Sequence, residues 1–214
     1  IDLITFTGSV RVGKYIAEKA GYRRTVLELG GNSPLIIMED ADLEKASSLA
    51  VAGATKNSGQ RCTAVKRILV EHSIADSIVE KIVNKASLLK CGDPSDPQND
   101  IGTVIDEASA RLFESRVKDA VSLGAKKLHG AERKGALFYP TVVDHVPWDC
   151  ELVIEETFGP AIPIIRFKDI EDAIKIANST NFGLSSGVCS NRMDYIIRFI
   201  NELNHGTVNI WEVP

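Results

Sequence analysis

Aromatic residues are scarce: Phe, Trp and Tyr make up 6% of the 214 residues, with only two Trp and two Met. The core must therefore be aliphatic, and a hydrophobic fraction of 44% can supply it. No apolar run approaches the ~20 residues of a membrane-crossing helix, so no membrane segment is expected. There is no basic surplus: 25 Lys+Arg face 29 Asp+Glu, giving a net charge of −4 and a pI near 5.6. That balance argues against nucleic acid or an acidic membrane surface as partner. The four cysteines, Cys62, Cys91, Cys150 and Cys189, are scattered, with no CxxC pair and no Cys/His cluster at metal spacing. They read as reduced thiols, which predicts a cytoplasmic protein without a metal site. Internal repeats, low-complexity tracts and long charge runs are also absent. The chain starts at Ile1 inside a β-like run and stops at Pro214 just after another, and so reads as a piece of a larger protein.

What is present is an alternation of strand-like and helix-like segments, which predicts an α/β domain with a mainly parallel sheet flanked by helices. Leu3 to Phe6, Thr25 to Leu29, Leu35 to Met38, Arg67 to Val70, Ile162 to Phe167, Gly187 to Cys189 and Thr207 to Ile210 read as strands. Helical spacing runs through Val12, Ile16 and Ala20, then from an Asp42 cap through Leu43, Ala46 and Ala50. It recurs over Ile74 to Leu89, Glu107 to Leu123, Ile170 to Ala177 and Ile196 to Ile200. Phe113, Val117, Ala120 and Val121 are expected to face inward. Asp93 to Pro97 is the clearest loop. Nothing within 31–214 suggests a domain boundary.

Cys62 is the most suggestive thiol. It follows a Gly-Gln turn, adjoins Arg61, and has Lys66 and Arg67 close by in sequence. Positive charge and backbone N–H groups activate a thiol as nucleophile. A half-buried structural cysteine is the alternative. The other three thiols read as structural, Cys189 within an apolar strand and Cys150 between Asp149 and Glu151. Glu28 is a lone carboxylate in an apolar strand just before Gly30-Gly31. Alternation puts it on the face of Val26, an apolar setting that would tune it as a general base; an exposed edge residue is the alternative. Gly8 to Gly13 joins a strand to a helix, a context suited to phosphate binding by glycine backbone and a helix N-terminus. Glu155 to Pro160 pairs carboxylates with an aromatic and a turn.

Taken together, Phe6-Thr7-Gly8-Ser9, Leu27 to Pro34, Gly59-Gln60-Arg61-Cys62-Thr63, Glu155 to Pro160 and Asn178 to Leu184 resemble, in order and spacing, the aldehyde dehydrogenase superfamily. The resemblance covers essentially the whole chain. It implies that Cys62 attacks the aldehyde carbon, with its own N–H as half of an oxyanion hole. Glu28 would activate the water that hydrolyses the thioester. Gly8, Ser9 and Gly30 would approach a cofactor, NAD or NADP; Glu156 would hold its nicotinamide ribose and Phe158 would pack by the nicotinamide. Residues 1–30 would be the C-terminal tail of the dinucleotide-binding domain and 31–214 the catalytic thiol domain. The rest of the cofactor domain, the oxyanion asparagine and an oligomerisation strand lie outside the sequence. The piece alone is therefore expected to be inactive, and its parent a homo-oligomer.

Arg61 is the clue to substrate. A guanidinium beside the reacting carbon favours a small anionic aldehyde, since arginine makes forked bonds to phosphate, phosphonate or carboxylate; pairing with a local carboxylate is the alternative. Gly59 to Arg67 resembles the branch holding phosphonoacetaldehyde, lactaldehyde and non-phosphorylating glyceraldehyde-3-phosphate dehydrogenases. The ending Gly206 to Pro214 looks most like the phosphonoacetaldehyde members. Two rival expectations stand beside this: a non-catalytic structural or assembly module, and a thioesterase-like activity of Cys62 and Glu28 without cofactor.

Overall fold

A computed structural model describes residues 1–214. The chain forms two sheets and a separate short hairpin. The small one pairs β1 (Leu3–Thr7) with β2 (Arg24–Glu28) in parallel, joined by α1 (Val10–Lys19). Ser9 caps α1 by accepting from the Val12 amide at 3.4 Å. In both strands burial alternates residue by residue, so one face is half-covered and the other, with Leu3, Val26 and Glu28, is exposed. The strand and its alternation are as expected, but Glu28 is not buried.

The large sheet runs from β3 (Ser33–Ile37) through β4 (Val65–Glu71), β5 (Lys126–His129), β8 (Thr141–Asp144), β9 (Ala161–Phe167) and β10 (Ser185–Cys189) to β11 (Thr207–Ile210). Its spatial order is β11-β10-β3-β4-β9-β8-β5, and every pairing is parallel except that of β5 with β8. The central strands β3, β4 and β9 are buried almost end to end, because helices cover both faces. On one side α2 (Leu43–Thr55) and α3 (Ala75–Ser87) pack Ala46, Ala50, Ile78 and Ile82 against Ile68 and Val70. On the other lie α4 (Glu107–Ser122), α5 (Glu151–Ile154), α6 (Ile170–Ala177) and α7 (Met193–Glu202), around Phe113, Phe138, Phe167 and Phe199. Asp42 caps α2 as its position predicts, accepting from the Glu44 and Lys45 amides.

Val121 departs from expectation and is exposed near the end of α4, while Phe113, Val117 and Ala120 face inward. The hairpin of β6 (Arg133–Lys134) with β7 (Leu137–Phe138), and β5 itself, carry no strand signal in the sequence. β5 is a lysine-bearing edge strand, and edges favour charge over the alternation that marks a buried strand. No helix is long and apolar enough to cross a membrane.

Arg67 does not sit by the thiol. It is fully buried and donates to the Asn32 carbonyl at 2.9 Å and to the Ile176 and Ala177 carbonyls, at 3.0 and 2.9 Å, at the end of α6. Burial lowers its pKa to about 10, so it stays charged at neutral pH. Carbonyls at a helix C-terminus are a good partner for a cation. Arg67→Met removes all three bonds; the Ile176 carbonyl keeps its Ser179 donors, and the loss at the Asn32 and Ala177 carbonyls is expected to destabilise the chain by at least about 2 kcal/mol in urea unfolding. Unchanged unfolding would show that these bonds contribute nothing net.

At the carboxyl end of β3 and β4, the Glu39 amide donates to Glu71 Oε2 at 2.9 Å. Burial, and then the hydrogen-bonded Glu39 carboxylate, push Glu71 up to about 7. Because the folded value lies above the unfolded one, this group's favourable contribution is complete below pH 4.5 and is lost as pH rises through 7. Glu71→Gln stays neutral. Its melting temperature should match that of the parent near pH 5 and exceed it at pH 8, by about 2–4 °C for each kcal/mol relieved. A lower value at pH 8 would show that the carboxylate is needed there.

Candidate active site

A cleft of about 740 Å³ opens between the two sheets. Its walls come from the carboxyl ends of β1 and β2 and from the connections that lead into β3, β4 and β9. All eight residues singled out in the sequence line it: Gly8, Ser9, Glu28, Gly30, Arg61, Cys62, Glu156 and Phe158. They come from four segments far apart in the chain. The other cysteines lie elsewhere. Burial pushes Cys189 up to about 12 and also raises Cys150, where Asp149 adds a smaller push in the same direction; burial and then Asp100 raise Cys91.

Two glycines bring the walls together. A side chain at Gly31 would strike the Cys62 carbonyl oxygen, and one at Gly30 would strike the Glu156 carboxylate. The Gly31 amide donates to Glu156 Oε1 at 3.0 Å. The loop after Glu28 thus touches both the thiol segment and the Glu156 segment. Glu28 itself lies exposed at the end of β2, with the Gly8 amide donating to its backbone carbonyl at 3.0 Å. Its side chain has no protein partner and is free to hold water.

Cys62 follows a 3-10 turn, Lys56–Gly59, in which Asn57 (φ 56°), Ser58 (φ 53°) and Gly59 (φ 71°) are all left-handed. For the two non-glycine residues this conformation costs roughly 1–2 kcal/mol each. Gly59 packs so tightly on the Gly159 carbonyl that no side chain would fit. The polar stretch was legible in sequence, but this handedness was not.

Arg61 donates through Nη2 to the Gly53 carbonyl at 3.2 Å, pairs with no carboxylate, and has a buried Nε without a partner. Its charge is therefore uncompensated at the cleft wall. Arg116, from α4, was missed in sequence. It is almost fully buried, pairs with Glu151 at 3.0 Å and donates to the Glu156 carbonyl at 2.8 Å and to Thr157 Oγ1 at 3.1 Å. Nothing in a surface-like Glu-Ser-Arg-Val stretch signals that role; only the fold brings it to the Glu156 segment.

The wall formed by β1 and the start of α1 is open. A side chain at Gly8 would strike the Phe6 ring, the first turn of α1 bears no acidic residue, and Phe158 is 39% exposed. An anion could approach that helix terminus and a flat ring could lie by Phe158.

The chain is 44% identical over 210 residues to an NADP-dependent glyceraldehyde-3-phosphate dehydrogenase of Streptococcus equinus, covering 98% of this chain and 44% of that protein. It is 43% identical over 210 residues to a lactaldehyde dehydrogenase of Methanocaldococcus jannaschii, covering 98% and 45%. Among solved structures, the NADP complex of a glyceraldehyde-3-phosphate dehydrogenase from Bacillus halodurans superposes with a TM-score of 0.97 at 42% identity, covering all of this chain and 45% of that one. The chain thus spans less than half the length of these relatives. The family model for aldehyde dehydrogenases matches residues 1–214, and with its sheet order and thiol cleft the chain belongs to the aldehyde dehydrogenase family.

Proposed function

We propose that the protein carrying this chain oxidises a small anionic aldehyde to the carboxylic acid with NAD or NADP, Cys62 being the nucleophile. The observation that carries this is the convergence of Cys62, Glu28, Gly8, Ser9, Gly30, Glu156 and Phe158 on one cleft. Residues 1–30 serve as the edge of the dinucleotide-binding domain and 31–214 as the catalytic domain. Gly8, Ser9, Glu156 and Phe158 hold the cofactor's nicotinamide half. When bound, the dinucleotide supplies the hydride acceptor.

Cys62 attacks the aldehyde carbon to give a thiohemiacetal, whose oxyanion accepts a hydrogen bond from the Cys62 amide in this mechanism. Loss of hydride leaves a thioester on Cys62. Glu28, solvent-facing and unpartnered, takes a proton from water as that water attacks the thioester, which frees the acid and the thiol.

Arg61 supports the substrate class. It adjoins Cys62 in the chain, lines the same cleft and pairs with no carboxylate, which leaves its charge for a phosphonate or phosphate. We read the substrate as phosphonoacetaldehyde-like, with glyceraldehyde 3-phosphate as the phosphate-bearing alternative. Lactaldehyde, a neutral aldehyde, would leave the charge unused. Arg61→Leu should cost an anionic aldehyde roughly 10- to 150-fold in kcat/KM, the worth of one charged hydrogen bond, while sparing propanal. Equal losses on both would show that Arg61 supports the loop rather than the substrate.

A further inference from the structure

We propose that Lys66 is a positioning residue of this cleft, its ammonium clamping the backbone that leads into Cys62 to the segment that carries Glu156 and Phe158. The sheet register singles this residue out. Ser33 pairs with Val65 and Pro34 with Arg67, so Lys66 is the extra residue of a bulge in β4. Bulges next to active sites re-aim side chains, and this one turns Lys66 out of the strand's alternation. The side chain is buried, at 4% exposure. Its Nζ donates to the Gly59 carbonyl at 2.5 Å and stands 4.8 Å from the centre of the Phe158 ring.

One cation thus touches two segments about a hundred residues apart in the chain. Gly59 closes the left-handed run before Cys62, and Phe158 lies two residues after Glu156. A run of disfavoured conformations persists only where its surroundings over-determine it. The run's other side-chain ties come from Asn57, whose Nδ2 donates to the Gln60 carbonyl, from Ser58, whose Oγ donates to the Gly102 carbonyl, and from Gln60, whose Nε2 donates to the Asn57 and Thr103 carbonyls. None of these reaches the Glu156 segment. Burial lowers the Lys66 pKa to about 8, the Glu156 and Cys62 charges oppose that lowering, and Arg61 adds to it, so the ammonium persists at neutral pH. A cation over a ring face, shielded from water, attracts it more strongly than at an exposed surface.

The catalytic consequence rests on the function proposed above; the clamp itself does not. The test is hydrogen exchange and burst kinetics of Lys66→Met and Lys66→Arg in the intact protein. In Lys66→Met, amides of residues 57–63 and 156–159 should exchange together at least about 10-fold faster, with the α2–α3 core unchanged. The rate constant of the NAD(P)H burst should fall roughly 10- to 100-fold at unchanged amplitude per thiol, because misplaced groups react slowly rather than not at all. Lys66→Arg, which keeps charge and donors, should recover most of both. If Lys66→Met fails to fold, Lys66→Gln keeps a donor without the charge and should loosen both segments to a lesser degree. Faster exchange in 57–63 alone, or throughout the core, would overturn the clamp. So would a lower burst amplitude at an unchanged rate constant, the mark of a merely structural lysine. A parent protein with no burst from any aldehyde would sink the proposed function, and the exchange result would still decide for or against Lys66.

Discussion

Cys62→Ala is expected to abolish NAD(P)H formation by the intact protein, burst and steady state alike, by at least about 10⁴-fold. Every covalent step in the proposed mechanism forms or breaks a bond to this sulfur. No other thiol can substitute. Cys91, Cys150 and Cys189 lie outside the cleft, and burial raises the pKa of each, Cys189 to about 12. Stopped-flow absorbance of the nicotinamide product reads the result directly. A residual burst of ordinary amplitude would mean that hydride leaves an adduct formed elsewhere.

Glu28→Gln should act differently. Attack by Cys62 and hydride loss do not use this carboxylate in the mechanism above, so the burst should remain. Deacylation needs a base for water, and general-base catalysis contributes about 10²–10⁴-fold, so steady-state turnover should fall by that much. Glu28 is well placed for this role because it faces the cleft, is exposed, and spends its side chain on no other residue. Loss of the burst itself in Glu28→Gln would assign the carboxylate to activation of the thiol.

The fold was legible where burial imposes a pattern. Leu35 to Met38 and Ile162 to Phe167 are continuous apolar runs because helices cover both faces of their strands. The Asp42 cap and the inward faces of α2, α3 and α6 follow from helical spacing and backbone hydrogen-bonding need. The edge strand β5 escaped notice because one side of it meets solvent, and Val121 was misplaced because the last turn of α4 runs past the core it covers. Within the site, Cys62, Glu28 and the glycines stood out by residue type and order. What sequence spacing could not show was direction. Arg67 and Lys66 are neighbours, yet a one-residue bulge in β4 sends the first to the end of α6 and the second to the thiol segment. Arg116 reached the Glu156 segment only through the packing of α4. Glu28 was read as buried because alternation reports which residues share a face, and only the assembled sheet shows whether that face is covered.

Cys62 carrying the acyl group is the central claim, and Glu28→Gln provides the trap. Intact Glu28→Gln protein mixed with an anionic aldehyde and NAD(P), quenched during the burst and digested, should yield one modified peptide in the mass spectrum. That peptide should span Cys62 and be heavier by the acyl group. A burst with no acylated Cys62, or with the acyl group on another residue, would contradict the account.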